Sequence, residues 1–319
     1  MNDASTTSAS QRRTTHQAVA DDRNADVRVY VNGEFFHRDE ARVSVFDSGF
    51  LVGDGIWEGV RLHEGRIVFL DEHLDRLFAG AAAVDLDIGL DRRGVTEALY
   101  ATIDENGMHD GVHLRFMVTR GDKKTPSQHP ANCVGGANVV IIAEHKLADP
   151  SVRDEGISLF TATVRRPPPD TLDQRLNCHS KLHEVIALIQ ATKAGADEAL
   201  MLDPTGAVAT CNATNFFIVR GGEVWTSTGH YNLHGITSAK VLEVAEAGGY
   251  GTRRQPYSLT DVYSADEVFV TGTFGGLTPV HTVDGRAVGP QDGPRPVTEH
   301  LRELYEQAVH ADAALGRHV

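Results

Sequence analysis

Three kinds of residue in this chain could do covalent or ligand chemistry, and their spacing narrows the choice. The thiols Cys133, Cys178 and Cys211 are odd in number and far apart. They make no CxxC pair and no Cys/His cluster with zinc spacing, so neither a disulfide framework nor a structural metal is expected. Amines are scarce, with lysine only at 123, 124, 146, 181, 193 and 240. Gly235-Ile236-Thr237 opens a helical pattern, and the free amides of a helix start point at whatever lies before it, which suits an anion. Gly49, Gly53, Gly55 and Gly59 punctuate the run around Phe50–Arg61, which predicts backbone packed closely against another part of the chain.

The elements that must position these groups read as an α+β chain. Val27–Phe36 alternates apolar and polar around Asn32-Gly33, a hairpin signal. Ala41–Phe46 reads as a further short strand, and Glu64-Gly65 turns the next hairpin. Leu74, Leu77, Phe78 and Ala81 recur at helical spacing after Asp71, and a second helix is expected around Arg93–Glu105. His113–Thr119 and Ala137–Ala143 read as strands, separated by a polar, turn-rich loop over Gly121–Pro130. A boundary is expected within the polar stretch Glu144–Asp154, giving domains over 27–148 and 149–319. In the second half strands are expected at Ile157–Val164, Glu198–Leu202, Asn215–Val219, Glu267–Thr271 and Leu277–Val283. Helices are expected from about Lys181 to Lys193 with Gly195 as cap, after an N-cap at Thr237, and over Val297–Ala311.

The chain has 319 residues and a net charge of −14. An acidic surface repels phosphate backbones, so nucleic acid is not an expected partner. No uninterrupted apolar run approaches the ~20 residues of a membrane span. The first 25 residues lack the apolar stretch of a secretory signal, and residues 1–26 read as a flexible tail outside the fold. A cytoplasmic enzyme or binding protein is expected.

Five ordered motifs then carry a resemblance. Val43–Arg61, Phe69-Leu-Asp-Glu-His-Leu-Asp-Arg-Leu77, Asn212-Ala-Thr-Asn-Phe-Phe217, Leu233-His-Gly-Ile-Thr237 and Thr271–Val280 resemble the class IV aminotransferases, the pyridoxal-phosphate (PLP) proteins of fold type IV. The resemblance spans roughly Val27–Leu304. It implies a two-domain fold type IV architecture with the active site at the domain interface. It also implies PLP as cofactor, amino acid (branched-chain-like) or amine and 2-oxo acid substrates, and a homodimer. Arg76 falls on the family's phosphate-binding arginine, and Gly235, Ile236, Thr237 and Thr273 on the other phosphate contacts. Trp57 falls where relatives line the substrate pocket with an aromatic, and Arg61 could bind or steer a carboxylate. Glu58 is expected to pair with Arg61 or to face solvent.

Two positions depart from the pattern. The family's cofactor-bearing lysine falls on Asn177, four residues before Lys181, the one lysine of that segment. Lys181 is therefore the expected catalytic residue, reaching the cofactor from a displaced backbone position. The glutamate that relatives set against the pyridine nitrogen is Thr210, whose hydroxyl cannot hold a full positive charge beside it. Transamination is the leading expectation. A PLP-dependent lyase or racemase, and a fold type IV protein that works without PLP, remain the alternatives.

Overall fold

The computed structural model describes residues 14–16, 18–291 and 293–318. Its first sheet has six strands, ordered Glu34–His37, Arg28–Val31, Asn138–His145, Val112–Thr119, Gly55–His63 and Arg66–Ile67, all antiparallel. Along Asn138–His145 the side chains alternate between buried and half-buried, so one face takes the apolar set. The helices Leu70–Ala83 and Arg92–Glu105 bring Leu74, Leu77, Val95 and Leu99 onto Val60, Leu114 and Ile141 of that face.

The second sheet is mixed and has nine strands. Ile157–Thr161 lies near its middle, parallel to both Glu198–Leu202 and Gly276–Val283. Antiparallel pairs then run outward through Glu267–Gly272 and Asn215–Arg220. Every residue of Glu198–Leu202 is buried, as expected of a strand covered on both faces. The helix Leu182–Ala194 covers one side through Ala187 and Ala191, whose small side chains let it approach Ala199 and Met201. The helices Ile236–Ala247 and Pro296–Ala313 cover another through Val241, Ala245, Leu301 and Tyr305. Among the described residues no helix is long and apolar enough to cross a membrane.

Three sequence-based expectations fail. Ala41–Phe46 forms no strand; it is an exposed connection, with Val43, Val45 and Phe46 facing out. Thr237 is not the N-cap; Gly235 is, and Thr237 sits inside the first turn. The described part of residues 1–26 is not a free tail. Thr15 is buried, Ala18 bridges Ala148, Val19 N–H donates to Leu147 O, and Asp22–Asp26 forms a 3-10 turn capped by Asp21. Polar composition predicted flexibility there, but backbone pairing with the 147–148 stretch supplies the hydrogen bonds that fix it.

Candidate active site

The glycines of the 49–59 run do pack against another part of the chain, and that part sets the register of Lys181. Trp57 N–H donates to Asn177 O, His179 N–H to Gly55 O, and Ile56 bridges Cys178. A Cβ at Gly53, whose φ is +72°, would meet Ser180 Oγ at 2.6 Å; one at Gly55 would lie 2.5 Å from Val118 O and 3.3 Å from the His179 ring. Only glycine leaves room for the 177–180 segment to lie here. Trp57 Nε1 then donates to Cys178 O at 3.2 Å. The segment ends at Lys181, which is the N-cap of Leu182–Ala194, with Gly195 closing that helix at φ +86°.

Lys181, Trp57, Asn177, Thr210, Arg115 and Arg166 line one cavity of about 270 Å³. Lys181 Nζ lies 3.5 Å from Glu184 Oε1. Glu184 is also held by Arg166 at 3.0 Å and by His183 at 2.9 Å. Burial pushes the Glu184 carboxyl up, but His183, Lys181 and Arg166 outweigh it and hold it at about 2. The Arg115 guanidinium stacks 4.2 Å over the Trp57 ring. Asn177 Oδ1 is buried without a hydrogen-bond partner among the described residues, a position that favours a donor from whatever fills the cavity. Thr210 is buried, and its hydroxyl donates to Thr214 O at 2.7 Å. Beside it the Cys211 thiol is pushed well up by burial, so it stays protonated.

The helix start at Gly235 forms a second part of the site. The Ile236–Ala247 helix has no side-chain cap, which leaves its first amides available. Asn215 Nδ2 donates to Leu233 O at 2.9 Å, and a Cβ on Gly235 would overlap Asn215 Oδ1. Arg76 donates to His234 O at 2.8 Å and forks onto Glu58 at 2.8 and 2.6 Å. His73 closes on the same carboxylate at 2.7 Å. Glu58 is thus neither Arg61's partner nor exposed. It is buried, and although burial pushes its carboxyl up, Arg76 and His73 hold it below the usual range.

Ile236, Thr237 and Thr273 face a larger cleft of about 830 Å³, and Arg61 lies in this cleft rather than beside Trp57. Arg61 makes 3.4 Å contacts to the carbonyls of Lys146 and Phe274 and stands over the Phe274 ring. The expected residues therefore divide: Lys181, Thr210 and Trp57 line the smaller cavity, Ile236, Thr237, Thr273 and Arg61 the cleft, and Gly235 a third cavity of about 170 Å³ that shares Asn215 and Leu233 with the first and that Arg76 meets at His234 O. His113 is held neutral, its pKa drawn down to about 3 by burial and by Lys146, Arg61 and Arg115.

Sequence reading missed Arg115, Glu184, Thr15 and His16 here, and the partner of Arg166. Arg115 was readable as one of the outward positions in the alternating His113–Thr119 strand. Arg166 and Glu184 stand 18 positions apart, and no local pattern joins them. Thr15 donates through its amide at 2.9 Å, and through its hydroxyl, to the buried Glu198, while His16 lines the Lys181 cavity.

Comparison with known proteins fits this geometry. The family model "Amino-transferase class IV" matches residues 55–283. A branched-chain-amino-acid aminotransferase-like protein of Arabidopsis thaliana is 41% identical over 89% of this chain and 51% of its own length. A putative branched-chain-amino-acid aminotransferase of Methanocaldococcus jannaschii is 35% identical over 88% of this chain and 96% of its own. The solved structure of a T.th. branched-chain amino acid aminotransferase with pyridoxamine 5'-phosphate superposes with a TM-score of 0.82 at 31% identity, covering 90% of this chain and 95% of that one. The architecture is that of the fold type IV branched-chain aminotransferases. The chain belongs to the class IV aminotransferase family, whose members are PLP enzymes. It spans about half the length of the Arabidopsis relatives it matches.

Proposed function

We propose that the protein is a PLP-dependent aminotransferase, moving an amino group between an amino acid of branched-chain type and a 2-oxo acid. The observation that carries this reading is the Lys181 amine, set at the wall of the same cavity as Thr210 and Trp57 although Asn177 holds the usual lysine position. The Lys181 cavity fits the cofactor's ring, and the Gly235 cavity that shares Asn215 and Leu233 with it fits a phosphate. An amine reaches the Lys181 cavity, the Asn177 oxygen has no partner among the described residues, and an uncapped helix start stands beside a fixed arginine. Lys181 would hold the cofactor's aldehyde, Thr210 would stand against its ring nitrogen, and Arg76 with Gly235, Ile236, Thr237 and Thr273 would hold its phosphate. When bound, that ring draws electrons from the substrate's Cα–H bond.

The chain's own residues do the rest. Lys181 Nζ takes the proton from the substrate Cα and returns it, and Glu184, ionised throughout the working pH range, lies 3.5 Å away and orients that nitrogen. Trp57 walls the substrate side, and Arg115 offers a cation to the incoming carboxylate. Arg61, with Lys146 and Arg115 around a neutral His113, adds positive potential that steers it. Thr210 gives no carboxylate to the ring and its only proton goes to Thr214 O, so proton transfer at Cα is slower than in relatives with a glutamate there. The same observation favours a second reading, a lyase or racemase on the same site.

We take 27–148 and 149–319 as the working domains. A homodimer is supported by Leu182, Val185, Ile186 and Ile189, which leave an apolar stripe exposed along one helix. A cytoplasmic setting accords with three unpaired cysteines. The test is borohydride reduction of the PLP-loaded protein followed by peptide mapping. The expected label falls on Lys181 and is lost in Lys181→Ala; a label on another lysine, or none, overturns the assignment. Product formation that needs a 2-oxo acid acceptor supports transamination, and product without one transfers the case to the second reading.

A further inference from the structure

We propose that His63, His310 and Glu64 form a binding site for a divalent transition metal of the zinc class at the rim of the larger cleft. The two imidazoles come from distant elements, the end of the Gly55–His63 strand and the last turns of Pro296–Ala313. Their facing nitrogens, His63 Nε2 and His310 Nδ1, are 3.2 Å apart. Two ligands each about 2.0–2.1 Å from a tetrahedral ion stand roughly that far from one another. Glu64, next in the chain, offers a carboxylate oxygen, and the three ligand atoms lie within 4.8 Å of one another.

A second observation sets this cluster apart from a chance meeting of exposed groups. The other nitrogen of His63, Nδ1, lies 3.2 Å from Asp110 Oδ1. A carboxylate on the far nitrogen holds the proton there and leaves Nε2 with its lone pair directed at the ion, the arrangement common behind metal-bound imidazoles. Asp110 also accepts from the Glu64 amide at 3.2 Å, so one residue orients both ligands of the turn. His310 is fixed separately, because Asp312 on the same helix binds Arg66 at 3.1 Å and the Phe69 amide at 3.0 Å. The backbones on both sides are thus set before any ion arrives, and the side chains left to adjust are the two exposed ones, Glu64 and His310. Glu64 and Asp110 supply negative charge, and water completes the fourth position. Both histidines line the cleft, so a bound ion ties the hairpin to the C-terminal helix across its edge.

The site does not depend on the aminotransferase reading, and none of its residues belongs to that machinery. The experiment is calorimetric titration of EDTA-treated, full-length protein with zinc chloride, with cobalt(II) as an optical probe of tetrahedral nitrogen ligation. The expected result is one equivalent of zinc with a rise in melting temperature, lost in His310→Ala and in His63→Ala. Asp110→Asn should weaken it by about 10–100-fold. Far-ultraviolet circular dichroism and metal-free melting of each variant establish that it folds. The absence of a stoichiometric equivalent in the wild type, which would leave the two rings merely hydrogen-bonded, overturns the site. So does an isotherm unchanged in His310→Ala.

Discussion

Glu58→Gln tests how the arginine of the proposed phosphate site is held. Glu58 is buried, with Arg76 forked onto it at 2.8 and 2.6 Å and His73 at 2.7 Å. Removing one charge from a buried pair costs about 3–5 kcal/mol, because the partner's charge stays desolvated. At about 2.1 cal/mol/K per residue, a chain of this length loses roughly 0.7 kcal/mol per degree at its midpoint. The expected fall is therefore about 4–7 °C, read by calorimetry at pH 7. The folded carboxyl lies below its ordinary range, so its contribution is present above the unfolded pKa and fades as pH falls through the folded one. The gap between wild type and variant should accordingly narrow in acid. Arg76, freed from its fork, should also hold the Gly235 helix start less well, and PLP affinity measured by absorbance should fall. A variant that melts within a degree of wild type at pH 7 and takes up PLP equally well would refute the reasoning.

Glu184, at about 2 against an ordinary 4.5, contributes about 3 kcal/mol that is present above pH ~4.5 and lost as pH falls toward 2. Glu184→Gln should therefore lack that part of the wild type's acid-limb loss in an unfolding series from pH 7 to 2. Moving the amine back, in Lys181→Ala with Asn177→Lys, should restore borohydride labelling at position 177, where the buried oxygen has no partner among the described residues. Failure of that double variant to label, while folded, counts against the cavity as the cofactor site. Gly235→Ala forces Asn215 aside and should weaken PLP binding with little loss of melting temperature, since the crowding falls on one side chain at the helix start. Deleting residues 1–17 removes Thr15 from Glu198 and His16 from the Lys181 cavity, and stopped-flow absorbance should show faster PLP uptake.

Much of the fold was readable because its signals are local. The Asn32-Gly33 hairpin, the Glu198–Leu202 strand and the Gly195 cap follow from turn chemistry, a short continuous apolar run and the left-handed backbone that glycine tolerates. The helix start at Gly235 was legible to within two residues, because capping tolerates several residue types. Val208–Cys211, Glu223–Thr226 and Thr252–Arg254 went unread as strands, since runs this short carry almost no periodicity. The order of the second sheet was out of reach, because strands far apart in sequence pair through backbone groups every residue shares.

The sequence by itself determined the inventory: one lysine in the segment where the family keeps its own, Thr210 in place of an acid, and glycines where backbone must approach backbone. Only the tertiary structure decided the partners. Glu58 went to Arg76 instead of Arg61, Arg61 to a different cavity from Trp57, and Thr15 to Glu198, 183 positions away. The physical reason is that a buried charge accepts whichever opposite charge or donor the packing brings within about 3 Å. That distance is set by how two sheets and their helices come together, not by spacing along the chain.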